Sequence, residues 1–503
     1  MDEFKYSEKN YYEVCSKITI IRLVVKIVLK KEKKMLLLKF SNYTKDKLAL
    51  IFFVVSLIFG VYWSIQTPPL QVPDEDTHFY STVTYAMLEL EPQYCDGNFE
   101  KRVATGVVNM ENIFVPVANG MPFHDDINMT NIKYSKSSFS DGGESSIGFR
   151  TLTTAPLCYL PSILGVMVGK FFSHNAWTWL IFGRIFGVIF YSIVVYVALR
   201  MTPVLKNSMF LIGLMPMSIF QVASVSYDVT TIAISIFSFA LISKLLCQKE
   251  KIKNYEIVML SLCFILLVFC KEIYAPMFLL LFFVSTQVVG KLKNKIVFWI
   301  SVFIPGVALH WLWGKIVQLM FTVPENLVKL SAANVTNSPA QQQDSVTHHF
   351  GQFIYIVFHT LERYTMHDYL IQFVGMFGWL DTPICITEAR VFLIVLLLTV
   401  ITDCNGGMKW IHKIVFLITG GLGILAIFWA AILWGQWSGE NIIGGVQGRY
   451  FIPLFLYSAI ILNVFPIKNP KIQKGIKILV VLVALLMLVY SSVVIYQRYY
   501  LPV

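Results

Sequence analysis

The chain has 503 residues, 56% of them hydrophobic and 15% aromatic, and only 14% charged, against about 25% in an ordinary soluble domain. That composition excludes a soluble globular enzyme, a disordered chain and a nucleic-acid binder. The formal net charge of +11 says less by its sum than by its placement along the chain.

The composition predicts an all-α fold, a polytopic transmembrane helix bundle. Residues 1–47 form a basic N-terminal segment. Within it, 17–34 (KITIIRLVVKIVLKKEKK) alternate apolar and basic residues. Two readings stand: a segment lying on an anionic membrane surface, or translation that starts at Met35. Apolar runs then follow at 48–66, 176–199, 208–224, 228–246, 255–270, 273–290, 295–313, 388–402, 411–434, 449–465 and 476–497. A helix of roughly 20 apolar residues spans the hydrocarbon, so these predict about eleven crossings. The stretch 154–172 carries Pro156, Pro161, Gly165 and Gly169 and ends near Lys170. Those breakers suit a broken or interfacial helix rather than a crossing.

The charges test this layout, because cytoplasmic loops are rich in Lys and Arg. With the N-terminus inside, the cytoplasmic segments are 1–47, 200–207, 244–256, 291–295, 403–413 and 466–477. They hold 27 of the 41 basic residues and 9 of the 30 acidic ones. The chain divides into the N-terminal segment 1–47, a first membrane helix 48–66 and a large outer loop 67–175. A membrane core 176–313, a second outer loop 314–387 and C-terminal membrane helices 388–503 follow.

In the first outer loop, prolines of QTPPLQVP hold an extended exit from the first span. DEDTHFYSTVTYAMLEL then predicts a helix near the membrane surface, and 91–150 reads as a polar stretch with a mobile tip at SKSSFSDGGESS. The second loop mixes apolar and charged residues over 350–381, which predicts interfacial or re-entrant helices. The two halves of the chain do not mirror each other, so there is no repeat of the transporter kind.

Several polar residues stand at the outer ends of the spans. Asp74, Glu75, Asp76 and His78 follow the first span, and on a helix 74 and 78 share a face. A carboxylate there suits a general base taking a proton from a hydroxyl, or equally an acidic first turn favoured by the helix dipole. Asp228, in ASVSYDVTT, sits at the mouth between the third and fourth spans. Lys271, in FCKEIYAP, lies on the side where lysines are scarce, which suits a phosphate contact or a water-exposed charge pair. Arg449, in GGVQGRYFIP, carries a fork that matches phosphate oxygens, and also suits interfacial anchoring. Trp379 and Asp381, in FGWLD, could form an aromatic platform and hydroxyl acceptor for a sugar; an aromatic belt accounts for Trp379 equally. Arg184, inside the second span, must face the protein interior or a polar cavity. The eight cysteines show no C-x-x-C spacing, and His348, His349, His359 and His367 form no metal motif. A divalent metal is compatible with the acids, but no ligand motif supports one, and no cofactor is assigned.

PPLQVPDEDTHF, LMPMSIFQVASVSYD, KEIYAP, FGWLD and GVQGRYFIP occur in this order. In these motifs, over roughly residues 48–497, the chain resembles family 2142 of the domain-of-unknown-function series. That family comprises bacterial polytopic membrane proteins and is similar to the GT-C superfamily of integral membrane glycosyltransferases. The resemblance implies a multi-helix bundle with interfacial helices in a large first outer loop. It implies a polyprenyl-phosphate-linked sugar as donor and an acceptor on the extracytoplasmic face of the bacterial cell membrane: a cell-surface glycan, teichoic acid or lipid. It places the catalytic acid at Asp74 or Glu75, Asp74 preferred. Asp76, His78, Asp228, Lys271, Trp379, Asp381 and Arg449 are then the substrate-binding candidates. Two rivals stand beside a transferase: a flippase or exporter of lipid-linked sugars, and a non-catalytic subunit of an envelope polysaccharide assembly.

Overall fold

The computed structural model describes residues 47–88, 93–95, 98–115, 117–118, 121–122, 129–130, 132, 134–141, 143–148, 154–320, 350–364, 366–433 and 442–501. The basic segment 17–34 and the pair His348 and His349 lie outside the described residues. Helix α1 (Leu48–Gln66) is followed by a buried turn and by α2 (Glu75–Met87). A small lobe comes next: β1 (Gln93–Cys95), β2 (Asn98–Ala104), α3 (Thr105–Phe114), β3 (Val117–Ala118), β4 (Met121–Pro122) and β5 (Glu144–Gly148). β1, β2 and β5 form an antiparallel sheet with Val103 opposite Ser145. The all-α membrane bundle stands, and this small sheet is an addition that the sequence reading did not include; the stretch read as a mobile tip carries part of a packed lobe. The short, largely polar strands show no apolar alternation, yet Phe139, inside the supposed tip, is fully buried. Phe79 and Val83 of α2, Val107 and Phe114 of α3 and Phe139 share one apolar core, which fixes α2 in place.

A 3-10 turn (Pro156–Tyr159) leads into α4 (Leu160–Phe172), which packs back along α5 (Ala176–Met201). Gly165 permits the contact: a Cβ there would lie 2.3 Å from the Phe182 carbonyl oxygen. Leu160, Leu164, Met167 and Phe171 on the other side of α4 are exposed, the apolar outward face of an interfacial helix. Gly165→Val is expected to destabilise the fold by about 1–3 kcal/mol, because backbone on the other side cannot yield. A thermal melt in detergent checks this.

α6 (Lys206–Gly213) and α7 (Pro216–Val222) replace the single run read at 208–224. The break falls where Pro216 lacks an N–H, and every residue of both pieces except Lys206 is buried. α8 (Asp228–Cys247) is central, with 89% of its apolar window buried. α9 (Asn254–Cys270) is followed by a 3-10 helix (Glu272–Phe283) containing Pro276, then α10 (Thr286–Val289). α11 (Leu292–Met320) is peripheral, with only 17% buried. α12 (Phe350–Arg363) and α13 (Met366–Val374) supply the short helices expected in the second loop. β6 (Met376–Phe377) and β7 (Thr382–Pro383) close a tight turn. α14 (Ile386–Thr402), α15 (Trp410–Leu433), a broken stretch of 3-10 turn (Gly448–Leu454), α16 (Phe455–Ala459) and 3-10 turn (Ile460–Leu462), and α17 (Pro470–Tyr500) complete the chain.

Among the described residues six helices are long and apolar enough to cross a membrane: α1, α5, α8, α11, α15 and α17. The other five apolar runs are present as shorter or broken helices. Broken backbone is tolerated in a membrane where protein surrounds it.

The helix ends gather at two poles. At one, Leu205 N–H donates to the Cys404 oxygen (3.0 Å), Phe465 N–H to the Ile401 oxygen (3.0 Å) and Ile252 N–H to the Val288 oxygen (2.9 Å). The first contact joins the basic segments 200–207 and 403–413, the second lies at the edges of 403–413 and 466–477, and the third sets 252 beside the 286–289 helix. The Asp403 carboxylate, buried there, accepts from Asn207 Nδ2 (2.9 Å) and Ser208 N–H (2.9 Å) and so caps α6. At the opposite pole lie the turn 67–74, the N-terminus of α8, Lys271, Trp379 and Arg449.

Candidate functional site

The turn after α1 runs TPPLQVPD. Three prolines remove backbone donors from a buried segment, leaving carbonyl oxygens that need partners. Arginines and a tryptophan supply them. Arg184 Nη1 donates to the oxygens of Ser64 (2.9 Å) and Thr67 (2.7 Å), and Nη2 to that of Pro68 (3.1 Å). Trp379 Nε1 donates to the Leu70 oxygen (3.0 Å). Arg449 Nη1 lies 3.4 Å from the Pro73 oxygen.

Asp74 ends this turn in the left-handed region, at φ 64°, a conformation that Asp tolerates better than most residues. The reversal sends Asp74 and Glu75 in different directions. The Asp74 side chain is 55% exposed, with Oδ2 2.6 Å from Arg449 Nη2. Glu75 is fully buried. Its Oε1 accepts from Arg184 Nε (2.7 Å) and from Val225 N–H (2.9 Å), and its Oε2 from Arg184 Nη2 (2.5 Å). Arg184 has five N–H groups, and these contacts with the turn and Glu75 use them all. Glu75 is therefore a closed anchor for the turn and not a carboxylate that meets a ligand. Arg184 faces the interior, as its cost in lipid requires.

Around Asp74 the structure gathers Asp228, Lys271, Arg449 and His78. Lys271 Nζ lies 2.7 Å from Asp228 Oδ1, and Arg449 Nη1 lies 3.6 Å from Asp228 Oδ2. Two carboxylates and two cations balance. Arg449 is fixed by further bonds, from Nε to Gln447 Oε1 (2.6 Å) and from Nη1 to Gln221 Oε1 (2.9 Å). Tyrosine rings line the cations: Lys271 Nζ sits 4.5 Å from the Tyr450 ring centre and 5.0 Å from that of Tyr227, and the Arg449 guanidinium 5.2 Å from Tyr450. Such ring faces attract cations.

His78, one helical turn after Asp74, bonds through Nδ1 to the Tyr159 hydroxyl (2.8 Å), and its ring meets Tyr227 edge-on at 4.6 Å. Burial lowers its pKa to about 4; Asp74 and Asp228 act in the opposite sense, while Lys271 and Arg449 add to the lowering. His78 is therefore neutral at pH 7. The unfolded chain takes up this proton near pH 6.5 and the folded chain only near 4. Stability therefore falls as pH drops through that window. Melts from pH 8 to 4.5 are expected to show this slope, and His78→Gln to reduce it.

Asp76 is buried on the same helix. Trp379 and Asp381 lie in the turn between β6 and β7. Trp379 braces Leu70, and Asp381 pairs with Arg498 (3.2 Å) and accepts from Thr382 Oγ1 (2.9 Å). Through Leu70, Trp379 supports the turn that carries Asp74. Among the described residues no three His, Cys, Asp or Glu side chains gather as a metal site requires. Sequence reading missed Gln221, Tyr159, Tyr227 and Tyr450. Tyr227 and Tyr450 are chain neighbours of Asp228 and Arg449, and Gln221 is an amide inside an apolar run, a signal that was present.

One family model, described as a predicted membrane protein (DUF2142), matches residues 57–458. No curated protein matches the chain, and no solved structure matches it.

Proposed function

The chain belongs to the DUF2142 family of predicted membrane proteins, and on that premise we propose that it is a glycosyltransferase of GT-C type. It moves a sugar from a polyprenyl-phosphate donor to a cell-envelope acceptor at the extracytoplasmic face of the bacterial membrane. The observation that carries this reading is the half-exposed Asp74 carboxylate on a charge-balanced cluster with Lys271 and Arg449. The basic charge at the opposite pole supports an outward-facing cluster.

In the proposed reaction the acceptor hydroxyl oxygen attacks the anomeric carbon of the sugar. The bond from that carbon to the phosphate oxygen breaks, and polyprenyl phosphate leaves with the bonding pair. The hydroxyl proton passes to Asp74, a general-base step. Arg449 and Lys271 stabilise the negative charge that grows on the leaving phosphate. Neutral His78 and the tyrosines are placed to bond sugar hydroxyls and stack on the ring.

A flippase needs polar groups along an interior path, and Arg184, the main interior charge, has all its donors engaged near one pole. This favours chemistry over transport. Surface-glycan composition in cells making Asp74→Asn at normal level tests the reading: altered glycan is expected, and unchanged glycan rejects the catalytic assignment.

A further inference from the structure

Gln221 is fully buried in α7, and its side-chain nitrogen Nε2 has no hydrogen-bond partner. The amide cannot simply turn over. Arg449 Nη1 donates to the other end, Oε1, at 2.9 Å, and an arginine offers no acceptor. A buried donor left unpaired is costly, so a ligand oxygen that completes it gains in binding.

The neighbouring contact is also incomplete. Arg449 is held by Gln447, Gln221 and Pro73 through Nε and Nη1, whereas among the described residues its Nη2 bonds to Asp74 alone. Asp74 is the least restrained member of the cluster, since its side chain is 55% exposed while that of Asp228 is 10% exposed and gripped by Lys271. The cluster is charge-balanced, so an incoming anion creates an excess of negative charge, which the loosest carboxylate relieves by moving away. A neutral hydroxyl could not displace a carboxylate from a guanidinium; a phosphoryl oxygen can, because it is charged and fits the same fork.

We propose that Arg449 and Gln221 form a phosphoryl-oxygen subsite, entered by displacing Asp74 from Arg449. Gln221 is then a positioning residue for the phosphate, and binding of the phosphate releases the carboxylate. The proposal rests on the transferase reading for its consequence: seating the donor and freeing the base become one event. The acceptor meets a free base only when a donor is in place.

The test uses the full-length protein in nanodiscs of zwitterionic lipid, titrated with polyprenyl phosphate. Asp74→Asn removes the competing charge and is expected to bind about tenfold tighter, whereas Gln221→Glu puts a carboxylate against the phosphate and is expected to bind at least about tenfold weaker. Gln221→Met, which keeps the shape and loses the donor, serves if Gln221→Glu does not fold, and is expected to weaken binding several-fold. Failure of Asp74→Asn to tighten binding, or of a folded Gln221 variant to weaken it, overturns the proposal.

Competition arms identify the source of the phosphate. Displacement by millimolar inorganic phosphate assigns the subsite to the phosphate group alone. Displacement by phosphatidylglycerol assigns it to lipid headgroups in general, and resistance to both assigns it to the polyprenyl-linked ligand. All three support the subsite. If Asp74→Asn abolishes transfer without tighter binding, the displacement fails and the transferase stands. If the wild type binds polyprenyl phosphate with the expected variant pattern but never transfers sugar, the subsite stands and the transferase reading fails.

Discussion

Asp74→Asn is expected to leave a folded, membrane-inserted protein whose transfer rate is lower by about a hundred- to ten-thousand-fold, the usual contribution of a general base. The substitution keeps the shape of the side chain and its tolerance of the left-handed backbone at φ 64°. It removes one side of an ion pair that is half open to solvent, and exposed pairs contribute little to stability. Melting temperature within a few degrees of wild type, with transfer lost, is the expected pair of readings. A parallel loss of folding would make Asp74 a structural residue.

The neighbouring carboxylate is expected to behave in the opposite way. Glu75→Gln leaves the Arg184 guanidinium buried without its counter-charge, and breaking a buried pair costs about 3–5 kcal/mol. The protein is expected to accumulate poorly and to melt well below wild type, while the folded fraction retains its activity per molecule. Arg184→Met goes further, because the oxygens of Ser64, Thr67 and Pro68 also lose their donors. For that reason the double variant Glu75→Leu/Arg184→Met is not expected to recover wild-type stability, although replacing a buried pair with apolar residues is often neutral. Thermal melts of the three variants in one detergent measure both effects. Full activity and full stability in Glu75→Gln would contradict the anchoring role.

These two adjacent acids show what the sequence could and could not disclose. Helical spacing placed Asp74 and His78 on one face and Glu75 on another, and the cluster agrees. It could not show which face meets Arg184, because that partner lies 109 residues away in the chain. Lys271 and Asp228 were legible one by one as charges at span ends, and their 2.7 Å contact was not. Long helices such as α5 and α17 could be read from continuous apolar runs. α6 and α7, and the 3-10 helix at Glu272–Phe283, could not, since composition registers an apolar segment without its breaks. The sheet formed by β1, β2 and β5 was invisible for a different reason. Its strands are short and polar, and neighbouring apolar residues such as Phe139 and Phe114 form the lobe's core.

The most direct measurement follows a labelled sugar on polyprenyl phosphate, supplied with an envelope extract to the purified full-length protein in nanodiscs. The account predicts that free polyprenyl phosphate appears as label enters the extract, and that Asp74→Asn stops both. Recovery of the lipid-linked sugar intact, with an active donor and a folded protein, would contradict it.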